Sequence, residues 1–511
     1  MLKLSAIEKQ RISSFSSGLS AAILLIVLFS LVFFITWKGA SYFWPTQVFK
    51  LTTNAQLVDD SSVFVPSSVD LDEYNQALTT KLTIQFLNSN TPMPQVIAQK
   101  VDDVYQINLL SGATKYGHFQ KIKTPNSERY QIAELNDVMA DVVTFQVELD
   151  DIQNNHLTLS HRKIAQLNLT GVSEDAPARQ RELTQFTYWQ QKADRIRQTI
   201  DTYQLVFIDA SEQDFALLAK DINHLFQPNS MSFFDKVSYS GKKVLAFVSE
   251  SPKQASTSGG VFPALFGTVI MVLMMAVIVA PFGAMAAIYL HEYAPNNMTT
   301  SIIRICVSNM AGVPSVVYGV FGLGFFVYTL GGSIDSLLFS DALPSPTFGT
   351  PGLFWAALTM ALLTLPVVIV STEEGLRRVP EGLRAGSYAL GATKIETIWK
   401  TVLPVASPGI MTGVILAIAR AAGEVAPLIL VGAVKFAPSL PIDSEFPFLH
   451  LERQFMHLGV FIYDGAFHNQ TNTQGSSMMF ASCMLLLLIV FILNLFAIIV
   501  RNKLRARYIR I

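Results

Sequence analysis

The stretch "ILAIARAAGEVAPLILVGA", Ile415–Ala433, is apolar enough to lie in a bilayer, yet it carries Arg420 and Glu424 near its middle. A charged side chain at the centre of a membrane helix costs roughly 2.5–3.5 kcal/mol on insertion scales. A sequence that accepts this twice in one turn holds either a pair that cancels itself or a use for the charges. The reading of this block decides whether the chain is a membrane protein, and its neighbours answer that first.

The same composition recurs outward from it. Half of the 511 residues are hydrophobic and only 15% are charged, which excludes an ordinary soluble enzyme. The excess lies in blocks, and about 20 apolar residues span the hydrocarbon core as a helix. The candidate spans are Leu19–Trp37, Val261–Leu290, Ile302–Leu330, Leu353–Ser371, Gly409–Val434 and Met478–Val500. The second and third are long enough to tilt, or to contain breaks near Pro281 and Pro314. The first exceeds the apolar run of a cleaved signal sequence and reads as a retained anchor.

Basic residues in short loops set the expected orientation. Lys3, Lys9 and Arg11 precede the first block, Arg501, Lys503, Arg505, Arg507 and Arg510 follow the sixth, and Arg377, Arg378, Arg384, Lys394 and Lys400 follow the fourth. The loop after the third block has no Lys or Arg, and the loop after the fifth has only Lys435 and Arg453. Six spans with both termini cytoplasmic fit this pattern. Cys306 and Cys483 fall in or beside membrane blocks and suggest buried small apolar residues, with no disulfide framework or metal site.

Three regions follow: 1–37, a tail and first span; 38–258, an inserted hydrophilic domain outside the cytoplasm; and 259–511, a core of five spans. The inserted region holds 20 Lys and Arg against 25 Asp and Glu, and the remainder holds 17 against 13. Runs such as "KLTIQF", "VVTFQVEL" and "YQLVFI" read as strands. The stretch "PARQRELTQFTYWQQKADRIRQTIDTY" reads as a helix with Trp189, Ile196, Ile200 and Tyr203 on one face. An α+β domain is expected. Its scattered histidines offer no catalytic or metal constellation. Asn168-Leu-Thr170 matches a glycosylation triplet of low specificity.

The loop 372–407 is the most organised polar part of the core. Pro380 and Glu381 suit the first turn of a helix, and Gly391 suits its left-handed C-terminal cap. Thr393 and Glu396 form an S/T-x-x-E capping box opening a second helix. There Ile395, Ile398, Trp399 and Val402 share one face, and Pro404 is expected to close it. This helix–turn–helix is either an amphipathic element resting on the membrane or a docking knob for a cytoplasmic partner. No "GxxxxGK[ST]" nucleotide loop occurs in the chain, so energy for vectorial work must come from a partner or an ion gradient.

The segment "GATKIETIWKTVLP" resembles the EAA loop of ABC importer permeases, with Gly391, Leu403 and Pro404 at the family's spacing. The family's Glu-Ala-Ala is Ala385-Gly386-Ser387 here, and its Ile position is Thr401. From Val379 to Leu428 the sequence resembles the phosphate-importer permeases of this family, the PstA type, and "AGVPSVVYGVFG" is similar to them too. The resemblance covers roughly the half of the chain from Val261 onward and leaves the inserted domain unexplained. It implies an all-α membrane fold, six helices in the type I ABC importer arrangement, with the α+β domain inserted outside the cytoplasm. It also implies a second permease, two ATPase subunits and an extracytoplasmic phosphate-binding protein as partners, with ATP at the ATPase and no cofactor on this chain. The coupling loop to that ATPase would include Arg384, Gly391, Thr393, Glu396, Trp399, Leu403 and Pro404.

Arg420 and Glu424 then acquire a possible chemistry as pathway residues. Arg presents a fixed fork of donors to an oxyanion, and Glu can accept a hydrogen bond from a protonated phosphate oxygen, which sulfate lacks. The alternative is a local pair that fixes packing. Gly423, Pro427 and Gly432 make the block a candidate for bending or for close helix packing. A permease for another oxyanion and a membrane sensor or scaffold are the rival functions.

Overall fold

The computed structural model describes residues 6–53, 63–66, 96–111, 113–125, 127–169, 176–253, 258–340, 345–443, 447–468 and 473–508. The strand expected over "KLTIQF" and the Asn168–Thr170 triplet lie outside those residues, the latter through Thr170. Two compact units emerge, one from Trp44–Lys242 and Lys253–Ser258, the other from the rest of the chain.

The unit built from Trp44–Lys242 carries an antiparallel sheet in the order Asp214–Leu218, Gln204–Ile208, Thr114–Lys123, Tyr105–Leu109, Ile222–Phe226. Facing pairs Phe119–Phe207 and Ile122–Leu205 set its register. Its core adds Ile196 and Ile200 from the Pro177–Thr202 helix, whose expected face is therefore the one that packs. The run "VVTFQVEL" is not a strand; it lies within the helix Leu135–Asp151. Val138, Val142, Phe145 and Leu149 recur at helical spacing and meet the sheet, so helical periodicity overrode β-branched propensity.

The other unit is helical and holds six helices long and apolar enough to cross a membrane: Ser14–Ser41, Phe262–Tyr293, Ser315–Leu338, Leu353–Arg377, Lys394–Gly423 and Ser477–Lys503. These are spans one to six below. Span four is the most buried, packed between spans two and five. Close approach needs glycine: a Cβ on Gly283 would stand 2.6 Å from Val368 Cγ1, and one on Gly409 would stand 2.5 Å from Gly375 Cα. Span one is exposed along its length and rests on span six, where Gly39 faces the Phe480 carbonyl.

Three boundaries bear on the breaks expected at the prolines. Span two continues as helix through Pro281 into a π turn at Tyr289–Tyr293, packed against spans four and five. The third block breaks as expected near Pro314: Met298–Met310 is a separate helix, and the span starts afresh at Ser315 after Pro314, which cannot donate to a helical ladder. The fifth block breaks at Glu424, whose backbone is extended (φ −83°, ψ 133°), and resumes as a short helix Ala426–Val431. Cys306 is exposed on the Met298–Met310 helix, not buried as expected.

Candidate functional site

The site has two ends joined by one helix. At the first end, Glu381–Ala389 is helical and terminates in a complete Schellman motif: Ala392 N donates to Ser387 O at 3.2 Å and Gly391 N donates to Tyr388 O at 2.9 Å. Gly391 adopts φ +84°, a conformation that disfavours any residue with a Cβ. The capping box forms as its sequence requires. Glu396 N donates to Thr393 Oγ1 at 3.4 Å, and Thr393 N donates to Glu396 Oε2 at 3.0 Å. Ser387 and Thr397 hydroxyls meet at 2.9 Å and tie the two helices together.

Pro404 does not close the second helix. Lys394–Thr397 runs through a π turn at Ile398–Val402 into Leu403–Gly423, one continuous helix. The π turn moves the backbone register, with Leu403 N bonding to Ile398 O, and Pro404 follows where a missing N–H is cheap. The expected apolar stripe also divides. Val402 joins a buried cluster with Leu290, Ile369, Leu376 and Val379, and Ile398 is buried. Ile395 and Trp399 face outward at 61% and 68% exposure, beside Leu390 at 90%. These three are the barest apolar side chains of the knob, ahead of Leu383 and Tyr388 at 44% and 45%.

Charge anchors the knob to the span ends. Arg384 Nη2 donates to Glu292 Oε1 at 2.9 Å and to Leu376 O at 3.1 Å. Lys394 reaches the Glu292 carbonyl and lies over the Tyr293 ring, 4.6 Å from its centroid. Glu373 in span four meets Arg304 at 3.1 Å and Arg377 at 3.4 Å, while Arg304 also donates to Leu290 O at 2.7 Å. Sequence reasoning singled out Arg384 but missed Glu292, Arg304 and Glu373. The charged ends of the apolar runs, "LHEY" and "STEEGLRR", carried the signal.

At the second end, Arg420 Nε and Glu424 Oε1 are 3.5 Å apart, with the two side chains 31% and 25% exposed. They are not stacked on one helix face as expected. Arg420 sits in the last turn of Lys394–Gly423, where a cation suits the helix dipole, and Glu424 follows the break. Tyr318 Oη donates to Met310 O at 2.8 Å and so braces the break in the third block. The two breaks adjoin, since a Cβ on Gly319 would stand 2.7 Å from Pro427 Cα. His457 lies at the same end: Gly459, which donates to its Nδ1 at 3.1 Å, abuts Val425. Burial in this apolar setting pushes the His457 imidazole down to about 4, and among the described residues its Nε2 has no hydrogen-bond partner.

Comparisons with known proteins bear on this arrangement. Residues 279–506 match the family model of the binding-protein-dependent transport system inner membrane component. The phosphate transport system permease protein PstA 1 of Mycobacterium tuberculosis is 41% identical over 187 residues, 36% of this chain and 55% of the relative. This chain thus spans about half the length of the mycobacterial relatives it matches. The probable ABC transporter permease protein YqgI of Bacillus subtilis is 30% identical over 45% of this chain and 71% of its own length. The phosphate transport system permease protein PstA of Yersinia pestis is 31% identical over 263 residues, 52% of this chain and 79% of the relative. Coverage of that depth, over the segment that holds both the knob and the broken fifth span, means that the chain belongs to the binding-protein-dependent transport system inner membrane components and is an ABC permease of the PstA type.

Proposed function

We propose that this chain is one of two permease subunits of an ATP-driven phosphate importer and forms part of the path for inorganic phosphate. The observation that carries the reading is one continuous helix, Lys394–Gly423, with the bare-tipped knob at one end and Arg420–Glu424 at the other. At 1.5 Å per residue such a helix is about 45 Å long, enough to link one membrane face to a point beyond the hydrocarbon core. A push on the knob moves the backbone that carries Arg420.

Leu390, Ile395 and Trp399 then seat in the ATPase, with Gly391, Thr393 and Glu396 fixing the knob's shape and Leu403 and Pro404 carrying it into span five. ATP is bound and hydrolysed by two copies of that partner. The basic loops support a knob and both termini in the cytoplasm, with residues 38–258 outside it as an inserted domain of the α+β kind. The guanidinium offers donors to a phosphate oxyanion. The carboxylate accepts from a protonated phosphate oxygen, repels sulfate, and keeps the ligand's residence short.

Uptake into proteoliposomes holding this chain with its permease, ATPase and binding-protein partners tests the reading. Labelled phosphate should accumulate with ATP inside, and a tenfold excess of sulfate or molybdate should leave uptake within twofold. Equal transport of those anions, or a chain that copurifies with no ATPase and moves no phosphate, sinks it.

A further inference from the structure

The knob is covalently continuous with spans four and five, since Arg377 leads into its first helix through three residues and its second helix is the start of span five. Span two has no such connection, yet both helices of the knob grip it at one residue. Arg384 of the first helix holds the Glu292 carboxylate at 2.9 Å, and Lys394 of the second holds the Glu292 backbone carbonyl. We infer that Glu292 is the positioning residue that makes span two move with the knob, so that the Glu292–Arg384 pair, and not packing alone, carries the ATPase stroke into that span. The inference rests on the reading of the knob as the ATPase contact.

Three features make the pair a stiff tie. The side chains of Glu292 and Arg384 are only 10% and 21% exposed, so water screens them little and separating them leaves a poorly solvated charge behind. Arg384 shares the same nitrogen with Leu376 O, which locks span four to the same point. Glu292 is also held at a second point, its backbone carbonyl, by Lys394 from the other knob helix.

Among the described residues Arg384 is paired with no carboxylate other than Glu292. Glu373 is already held by Arg304 and Arg377. His291 Nε2 stands 3.5 Å from Arg384 Nη2 and 3.9 Å from Glu292 Oε1. With Glu292 neutral, Arg384 would face a neighbourhood in which three arginines meet one glutamate, and the tie would loosen.

The experiment uses the full complex. Glu292→Gln keeps the side chain's size and one acceptor oxygen. It should copurify with the ATPase and hydrolyse ATP within twofold of the parent, while phosphate moved per ATP falls at least fivefold. The exchange Glu292→Arg with Arg384→Glu should restore at least a third of the ratio. Spin labels at Gly382→Cys on the knob and Met285→Cys on span two, with Cys306 and Cys483 replaced by serine, report the knob-to-span distance without reference to any substrate. That distance should stay fixed between nucleotide states in the parent and shift or broaden in Glu292→Gln. A phosphate-to-ATP ratio unchanged in Glu292→Gln, uptake and hydrolysis falling together, or a distance that stays fixed in the variant overturns the tie. A parent complex with the fixed distance but no phosphate uptake overturns the substrate reading instead.

Discussion

The two ends of the Lys394–Gly423 helix are built on different principles. The knob end is closed by contacts within about ten residues, through Gly391, Thr393 and Glu396. The outer end stops at Gly423, where Pro427 would set its ring against the carbonyl four residues back. Yet proline alone does not break this chain, because Pro281, Pro366 and Pro408 all lie inside continuous helices. The break at Glu424 persists because the resumed helix is held from outside: Pro427 lies against Gly319, and Phe455 N donates to Gly432 O at 3.2 Å. A local signal shaped one end and a tertiary contact selected among several prolines at the other.

The largest effect that would separate the ends is functional. Arg420→Ala removes the oxyanion donors without touching the knob, so membrane level should stay normal while phosphate uptake drops more than tenfold. Near-normal uptake would reduce Arg420–Glu424 to a packing pair and leave the outer end with no transport role.

A second effect belongs to the outer end alone. His457 is fully buried and its folded-state value is pushed down to about 4 from 6.5. Below 6.5 the unfolded chain takes up a proton that the folded chain refuses, so stability falls as pH drops from 6.5 toward 4 and is flat above. The slope approaches about 1.4 kcal/mol per pH unit. His457→Asn keeps an acceptor for Gly459 N–H but cannot titrate, and should flatten this part of the profile. Apparent melting temperature in detergent from pH 7 to 4.5 reads it; parallel profiles for parent and variant would show that the buried imidazole is not the source.

The smallest effects sharpen the knob. Gly391→Val forces a β-branched residue to φ +84° and should cost about 1–2 kcal/mol of local stability. Gly386→Ala, in the middle of the first knob helix with open space around its Cβ position, should stabilise by about 0.5–1 kcal/mol. Hydrogen exchange across Glu381–Ala392 would register opposite signs. Equal signs would mean that the knob is not organised by its own turn.

Much of this was legible beforehand, for identifiable reasons. The cores of six spans follow from runs of apolar residues that bilayer thickness selects. The Schellman glycine and the capping box follow from backbone groups that must be paired within a few residues. "VVTFQVEL" was misread because its β-branched content masks a helical recurrence of Val142, Phe145 and Leu149. Pro404 was misread because the π turn before it, which has no motif of its own, lets the helix absorb the missing donor. The ties made by Glu292, Glu373 and Arg304 join residues far apart in the chain: Glu292 and Arg384 are 92 positions apart, and Arg304 and Glu373 are 69 apart.

By itself the sequence determined that this chain crosses a membrane, where its loops carry positive charge, and that a capped helical pair stands after the fourth span. Those properties depend on hydrophobic length, on charge at the interface and on the hydrogen-bonding needs of a single turn. Only the tertiary structure decided which proline breaks a helix, which side of the knob stays bare, and which carboxylate meets Arg384. Each of those is settled by the shape and charge of a neighbour distant along the chain, information that no local window contains.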